Sequence, residues 1–526
     1  MKYEAHFNVR ETPQSEKIPG STQVLNSAGG YSWAVDSWTR LDRFLILGNE
    51  GGSYYASERK LTIENATAVQ ECLKQDGPRV VQRVLEISEA GRAPKNDPAI
   101  FVLAMAAGLG DQATKNAAYL ALSRVCRIGT HIFHFAQAVQ AFRGWGRGLR
   151  SAVGSWYNGK EAKDLAYQLI KYRQRDGWTH ADVLRLSHPR PKTEQHDSLF
   201  KWAVDGTLKE GQAISLIEAF DELQRTTDAK AAAYMIRQYN MPREAVPTDL
   251  LKSVDVWSAL LEKMPYTAMI RNLATMTNVG LLKPLSSDTT TVTERLLNQE
   301  GLTRARVHPI AILAALKTYE SGRGVRGSQT WTPVPEIVEA LDEAFYLAFG
   351  NVQPTGKRLM LALDVSASMD GGAVAGVHGL TPRMASSAMA LVTARVEPQY
   401  VIVAFTTTMI SMTITKRSRL DDVMKVTSCL PFGGTDCAQP MLYAMQQKLQ
   451  VDGYSIYTDN ETWTGRVHPA QALQQYRQMS GLPAKLVVVG MVSNQFSIAN
   501  PDDSGMLDCV GFDTSTPQVV SDFLSV

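Results

Sequence analysis

Residues 361–369 read LALDVSASM. An apolar run stops at Asp364, and hydroxyls follow at Ser366 and Ser368. The run has the composition of a buried strand, and in an open parallel sheet ligands gather at the carboxyl ends of the strands. An acid and two hydroxyls at such an end are therefore placed to meet a ligand, and how they do so depends on the segments around them. Taken alone, DxSxS is equally a pattern of Asp and Ser capping a turn or helix.

Working outward, RLMLALDV (358–365), YVIVAF (400–405), YSIYTD (454–459) and AKLVVVGM (484–491) are short runs rich in β-branched residues. Helical patterns lie between or after them: MASSAMALVTARV, LDDVMKVTSCL, AQPMLYAMQQKLQ and PAQALQQYRQM. Strand and helix in alternation predict a mostly parallel sheet covered on both faces. TMISMTIT, after YVIVAF, alternates with period two and predicts an antiparallel edge hairpin. Asp459 ends its strand as Asp364 does, and GGTDC puts Thr435 in a Gly-rich loop before a helix. Asp364, Ser366, Ser368, Thr435 and Asp459 can thus converge at one sheet edge. All five offer oxygen, with no nitrogen or sulfur, which is the ligand set of a hard divalent cation, with Mg²⁺ expected.

The first 355 residues have a different rhythm. NATAVQECLKQ, QATKNAAYLALSRVC, KDLAYQLIKYRQR, TLKEGQAISLIEAFDELQ, DVWSALLEKM and PIAILAALKTYE space their apolar residues by three and four. Helical pairs in succession predict a stacked array, because one amphipathic pair does not bury its own apolar face. No strict period is present, so an irregular all-helical domain is the alternative. NVQPTGKR, with Pro and Gly, marks the junction. The division expected is residues 1–355, all-α, and residues 356–526, α/β.

Composition sets bounds on function. The chain has 526 residues, 44% apolar and 20% charged, as a folded chain of two to four domains would. No run approaches the ~20 apolar residues of a membrane helix. MKYEAHFNVRETPQ has no apolar core, so no secretory signal is expected. Five scattered cysteines without a CxxC pair argue for reduced thiols in a cytoplasmic protein, and against a zinc site or disulfide framework. Net charge is +2, but residues 115–192 hold 14 Lys/Arg against 4 Asp/Glu, together with His131, His134, His180 and His188. A near-neutral chain with one basic segment points to a polyanion bound in one place. In RGWGRGLRSAVGSWYN (143–158) and KYRQRDGWTHADVLRLSHPRPK (171–192), cations can neutralise phosphates while Trp, His and Arg planes stack on unpaired bases. The competing reading is a solvated helix face whose tryptophans turn into the core. On a helix, Lys171 and Arg175 would share one face, and Arg185 and His188 another.

Two motifs are decoys. GNVQPTGKR has five residues before GK and Arg after it, so it is not a phosphate loop. GRGVRG (322–327) fits a dinucleotide pattern but leads into SQTWTPVP and not into a helix; Arg323 and Arg326 suit contact with a phosphate backbone better. A serine hydrolase would need a base beside Ser366 or Ser368, and nothing in the sequence brings His378 or His468 there.

In the order DxSxS, Thr, Asp, the C-terminal part resembles a von Willebrand factor A domain with its metal-ion-dependent adhesion site. That resemblance implies that Ser366 and Ser368 hold the cation directly, with Thr435, Asp364 and Asp459 direct or through water. The serines are then ligands and not nucleophiles. A longer resemblance runs from about Tyr31 to the C-terminus through RLDRFLILGNEGGSYY, VCRIGTHIFHF, WGRGLRSAVGSWYN, KYRQRDGWTHADVLRLSH, EKMPYTAMIRNL, ARVHPIAILAALKTY, GRGVRG, PTGKRLMLALDVSASM, FGGTDC and YTDNETW. It is to the 60-kDa Ro autoantigen and its bacterial relatives, the TROVE-domain proteins. The resemblance implies a ring of HEAT-like helical repeats closed by the A-type domain. It also implies small noncoding Y RNA on the outer surface, single-stranded 3′ ends of misfolded or structured RNAs in a central hole, and a link to 3′ exoribonucleases in RNA quality control, decay or maturation.

Lys171, Arg175 and His188 fall where that family contacts Y RNA. Arg127, His131, Arg143 and Arg147 are added on charge alone. The expectation is an RNA-binding scaffold, not an enzyme, with no membrane partner, and a monomer, since a ring closed within one chain needs no second copy. Its rivals are a protein-adhesion module, whose cation captures a partner's acidic side chain while RNA is incidental, and a metal-dependent nuclease. The first thirty residues match nothing that gives them a role.

Overall fold

The computed structural model describes residues 11–48, 58–324, 329–350, 352–371, 374, 380–412, 414–430 and 433–526. Arg326 and His378 lie outside them. The chain forms two compact units. The first takes the described residues up to Glu71, Arg92–Lys95 and Phe349–Val526; the second takes Cys72–Gly91 and Asn96–Ala348. The boundary expected at 355/356 lies close to one junction, but a linear cut does not capture the first unit, because the N-terminal segment folds with the C-terminal sheet.

That segment begins as a polar loop with two short strands, β1 (Val24–Leu25) and β2 (Tyr31–Ala34), paired antiparallel. The helix Ser37–Leu47 follows, capped by Asp36 Oδ1, which accepts from Thr39 N at 2.7 Å. The helix Glu58–Ala90 breaks at Asp76, two residues before Pro78, whose ring and missing N–H disrupt the helical ladder. Asp76 Oδ1 accepts from Arg79 N at 3.0 Å and so restarts the helix.

The second unit is helical, and each helix packs on partners close in sequence. Asp97–Leu109 lies against Gly129–Phe142, Gln112–Val125 against Arg147–Asn158, Ala229–Tyr239 against Val254–Lys263, and Pro309–Glu320 against Pro335–Leu347. Packing of a helix on the next, or the next but one, is what stacked pairs produce. One departure from helix carries functional weight. The helix expected to run through KYRQR stops at Lys171, and β3 (Gln174–Arg175) turns back onto β4 (Trp178–Thr179). Asp176 and Gly177 make the turn with φ of 50° and 82°, the left-handed pair that a two-residue hairpin needs and that Asp-Gly supplies.

The α/β part of the first unit is a six-stranded sheet. Its strands are β5 (Leu359–Asp364), β6 (Tyr400–Phe405), β7 (Met409–Ser411), β8 (Gly453–Thr458), β9 (Lys485–Gly490) and β11 (Met506–Val510), with β10 (Phe496–Ser497) outside it. The order is β11-β9-β8-β5-β6-β7, parallel except for β7, which forms the expected antiparallel hairpin with β6. β5 and β8 are buried along their whole lengths and lie side by side, so Asp364 and Asp459 leave the sheet at the same edge. β10 pairs with β2, attaching the N-terminal segment to this unit.

Candidate metal centre and nucleic-acid interface

The five oxygen-bearing residues converge. Asp364, Ser366, Ser368, Thr435 and Asp459 are all buried, none more than 2% exposed. Asp364 Oδ1 accepts from Ser366 N at 2.9 Å and Oδ2 from Thr458 Oγ1 at 2.6 Å. The Ser366 and Ser368 hydroxyls are 2.9 Å apart. Thr435 is tied to the loop after Asp459, its carbonyl accepting from Trp463 N at 3.1 Å and Thr464 N at 3.2 Å. Burial pushes the Asp364 carboxyl up to about 7, and the negative charge of Asp459 adds to the rise. Burial raises Asp459 as well, with the Ser368 hydroxyl and the Glu461 amide pulling it down.

Two carboxyls are forced together out of water, with the Arg383 guanidinium as a nearby positive charge. Asp459 Oδ2 and Thr435 Oγ1 are buried with no hydrogen-bond partner among the described residues. The donor set therefore fits a hard divalent cation, which would neutralise both acids and use the orphaned oxygens. Among the described residues, no group of three or more His, Cys, Asp or Glu side chains gathers as a metal site. Glu461 is a third buried carboxyl beside this pair, raised to about 8 by burial and then by the charge of Asp459.

Sequence reasoning missed two supports of this site. Arg383 is buried in the helix Pro382–Val396 and donates to Val365 O at 2.6 Å, Ser366 O at 3.2 Å and Thr427 O at 3.0 Å, with Asp370 Oδ2 at 3.2 Å. It grips the backbone of the serine loop. The only signal was an arginine among small apolar residues. Arg43 is buried too, donating to Asn494 O at 2.8 Å and pairing with Asp508 at 2.6 Å, while Asn494 Nδ2 donates to Asp459 O at 2.6 Å. His468 is no base for the serines; Nε2 lies 2.8 Å from Glu16 O and Nδ1 3.2 Å from Gln23 Nε2.

On the helical unit, the candidates separate. Lys171 closes the helix Ala162–Lys171, half-buried, its amine 5.5 and 5.4 Å from the Tyr167 and Tyr172 rings. It borders a cleft with Arg237, Arg243 and Lys263, along with Glu244 and Glu262. Arg175 stands exposed on the hairpin, 3.5 Å from Asp176. His188 is exposed as the left-handed cap of the helix His180–Ser187. Lys171 and Arg175 thus share no helix face, and neither do Arg185 and His188, because the Asp-Gly turn and the left-handed cap end the helices first.

The residues chosen on charge fare unevenly. Arg127 Nη1 donates to Ser88 Oγ at 3.0 Å and Arg124 O at 3.2 Å, and Arg143 Nη1 to Tyr119 OH at 3.0 Å and Ala107 O at 3.3 Å. Both are committed to packing. Burial first, and Arg127 second, lower His131 to about 4, so it is uncharged near neutral pH. Arg147 opens its helix and is exposed. Trp156 is buried and donates to Cys126 O, so its ring serves the core, as the competing reading held. Exposed cations remain at Arg150, Lys163, Arg173, Arg185, Arg190 and Lys192.

A helical unit rich in exposed cations, joined in one chain to an A-type α/β unit with buried oxygen-bearing side chains gathered at its sheet edge, defines a two-part class. Two family models match it: the TROVE domain over residues 24–238 and 229–318, and the Ro60 vWA domain over residues 358–524. The chain belongs to the Ro60 family. It is 44% identical over 522 residues to RNA-binding protein RO60 of Deinococcus radiodurans, covering 98% of each chain. It is 35% identical to RNA-binding protein RO60 of Caenorhabditis elegans, covering 97% of this chain and 91% of the relative. The crystal structure of the Deinococcus radiodurans RO (RSR) protein superimposes with a TM-score of 0.71 at 42% identity, over 93% of this chain and 99% of that one.

Proposed function

We propose that this chain binds RNA through its helical unit and is a scaffold with no catalytic role. Its RNAs are small noncoding Y-type RNA on the outer surface and the single-stranded 3′ ends of misfolded or structured RNAs in a central hole. It acts in cytoplasmic RNA quality control, decay or maturation, with a 3′ exoribonuclease as partner. What supports RNA as the ligand is that both relatives, similar along nearly their whole lengths, carry RNA binding in their names. The feature of the chain that carries the reading is the Asp-Gly hairpin, which holds Arg175 in solvent while Lys171 and His188 end the elements on either side of it. Phosphate neutralisation would supply most of the affinity, and capture of an unpaired end needs charge and stacking planes but no base code.

Sequencing RNA crosslinked to the purified protein, with the crosslinked residues mapped, tests this directly. Crosslinks should fall on the segment 171–192. Crosslinks confined to the α/β unit would overturn the assignment.

A second activity is favoured by the orphaned Thr435 Oγ1 and Asp459 Oδ2. On this reading Asp364, Ser366, Ser368, Thr435 and Asp459 hold Mg²⁺, and the ion's open position takes an acidic side chain from a protein partner. A partner lost on Asp364→Ala while RNA binding stays unchanged supports it. A partner retained by that variant refutes it.

A further inference from the structure

The N-terminal segment, which the sequence left without a role, is built against the loops that carry the proposed ligands. Gln14 is fully buried, and every polar group it has is used. Its Nε2 donates to Asp436 Oδ1 at 2.7 Å and to Val467 O at 2.8 Å. Its Oε1 accepts from the Thr462 hydroxyl. Its backbone N donates to Gly465 O at 2.9 Å, and its backbone O accepts from Tyr31 N at 2.8 Å.

These partners are the neighbours of the proposed ligands. Asp436 follows Thr435; Thr462 lies three residues after Asp459. The Thr462 hydroxyl also lies 3.3 Å from Thr435 O and 3.1 Å from Cys437 N, so one side chain joins both loops to Gln14. Asn26 Nδ2 donates to Thr462 O at 2.9 Å and the Ser32 hydroxyl to Asn460 O at 3.3 Å, adding two ties to the same loop. The fit leaves no slack. A Cβ on Gly465 would lie 2.2 Å from Gln14 Nε2, and one on Gly30 2.0 Å from Thr462 O. Asp436 is engaged in this clamp, since Gln14, Gln439 and Ala438 occupy its oxygens.

We infer that Gln14 is a positioning residue for the proposed cation ligands, its carboxamide fixing the spacing between the loop of Thr435 and the loop of Asp459. The inference rests on the cation reading above. A metal site loses affinity when the groups that orient its ligands are removed, and here those groups belong to a strand-forming strap more than four hundred residues away in sequence.

The test is Mn²⁺ binding to the full chain, followed by electron paramagnetic resonance, alongside affinity for a stem RNA with a single-stranded 3′ tail. Gln14→Leu removes the Nε2 donor that Asp436 Oδ1 and Val467 O share, leaving Asp436 Oδ1 with Ala438 N alone, and Mn²⁺ should bind about tenfold more weakly while RNA affinity is unchanged. Gln14→Glu should weaken it further by placing a carboxylate against Asp436. The double variant Gln14→Glu/Asp436→Asn restores a donor–acceptor pair and should recover part of the loss, which a general loosening of the fold would not do. If Gln14→Leu does not fold, Asn26→Ala serves in its place, with a smaller loss expected. Wild-type Mn²⁺ affinity in Gln14→Leu or, failing that, Asn26→Ala, while Asp364→Ala binds none, would overturn the inference and leave the cation reading intact. A wild-type chain that binds no Mn²⁺ would sink both.

Discussion

Replacing Lys171 and Arg175 together by alanine should change the salt dependence of RNA binding, not merely its strength. Arg175 has 63% of its side chain exposed, and its ion-pair partner, Asp176, is 53% exposed at 3.5 Å. An exposed pair of that kind is worth at most ~1 kcal/mol, so Arg175 is available to a phosphate. Lys171 loses some basicity to burial, with Glu244 acting the other way. If each neutralises one phosphate, the slope of log K against log salt becomes shallower by about 0.7 per contact for single strands and about 0.9 for duplex, or about 1.4 to 1.8 for the pair. From 50 to 200 mM KCl that difference amounts to about tenfold, so the penalty of the double variant should be about tenfold larger at the low-salt end. Fluorescence anisotropy of a labelled stem RNA with a 3′ tail, titrated at five KCl concentrations, measures it. Arg127→Ala/Arg143→Ala is the control, since those guanidiniums serve packing and should lower the melting temperature with the slope intact. An equal penalty at every salt concentration would show that Lys171 and Arg175 touch no phosphate.

Three other outcomes follow from named contacts. His134 lies between Asp97 at 2.6 Å and Asp176 at 3.0 Å, and the Asp97 bond first, then Asp176, raise its pKa against the opposing pull of burial. A raised histidine contributes stability fully below its unfolded value of about 6.5 and loses it as pH climbs through the folded value. The melting temperature should therefore fall between pH 6 and 8 more steeply in the wild type than in His134→Gln. Arg383→Met takes a donor from the carbonyls of Val365, Ser366 and Thr427, of which Ser366 O keeps Met369 N and Thr427 O keeps Leu430 N, and should cost about 1–3 kcal/mol in urea unfolding. Mg²⁺ at a hundred times its dissociation constant should stabilise the wild type by about 2.7 kcal/mol, and EDTA should remove the gain. Asp364→Ala should respond to neither addition.

The parts of this architecture that were legible are those written in local pattern. β5, β6, β8 and β9 are short apolar runs rich in β-branched residues, and their parallel direction follows from the helices between them. Asp364 and Asp459 could be assigned to one sheet edge from sequence because each sits at the carboxyl end of a parallel strand; that the two strands are neighbours is what the structure adds. Arg175 was misplaced because helical spacing outweighed Asp176-Gly177, a turn signal two residues long.

What stayed hidden was of another kind. A buried polar side chain is defined by its partners, and those of Gln14 and Arg43 lie 422 to 465 residues away. Nothing within a window of twenty residues distinguishes such a glutamine from a solvated one. The same fact has an energetic side. Each of these residues gives up its hydration on folding, and only a complete set of partners offsets that loss. Gln14 spends all of its hydrogen-bonding capacity on the loops that carry the proposed ligands and keeps none for solvent. A side chain held so completely fixes the loops in one arrangement, and one arrangement is what a rigid oxygen cage for a small cation demands. The segment with no motif is for that reason the part of the chain on which the motif's geometry depends.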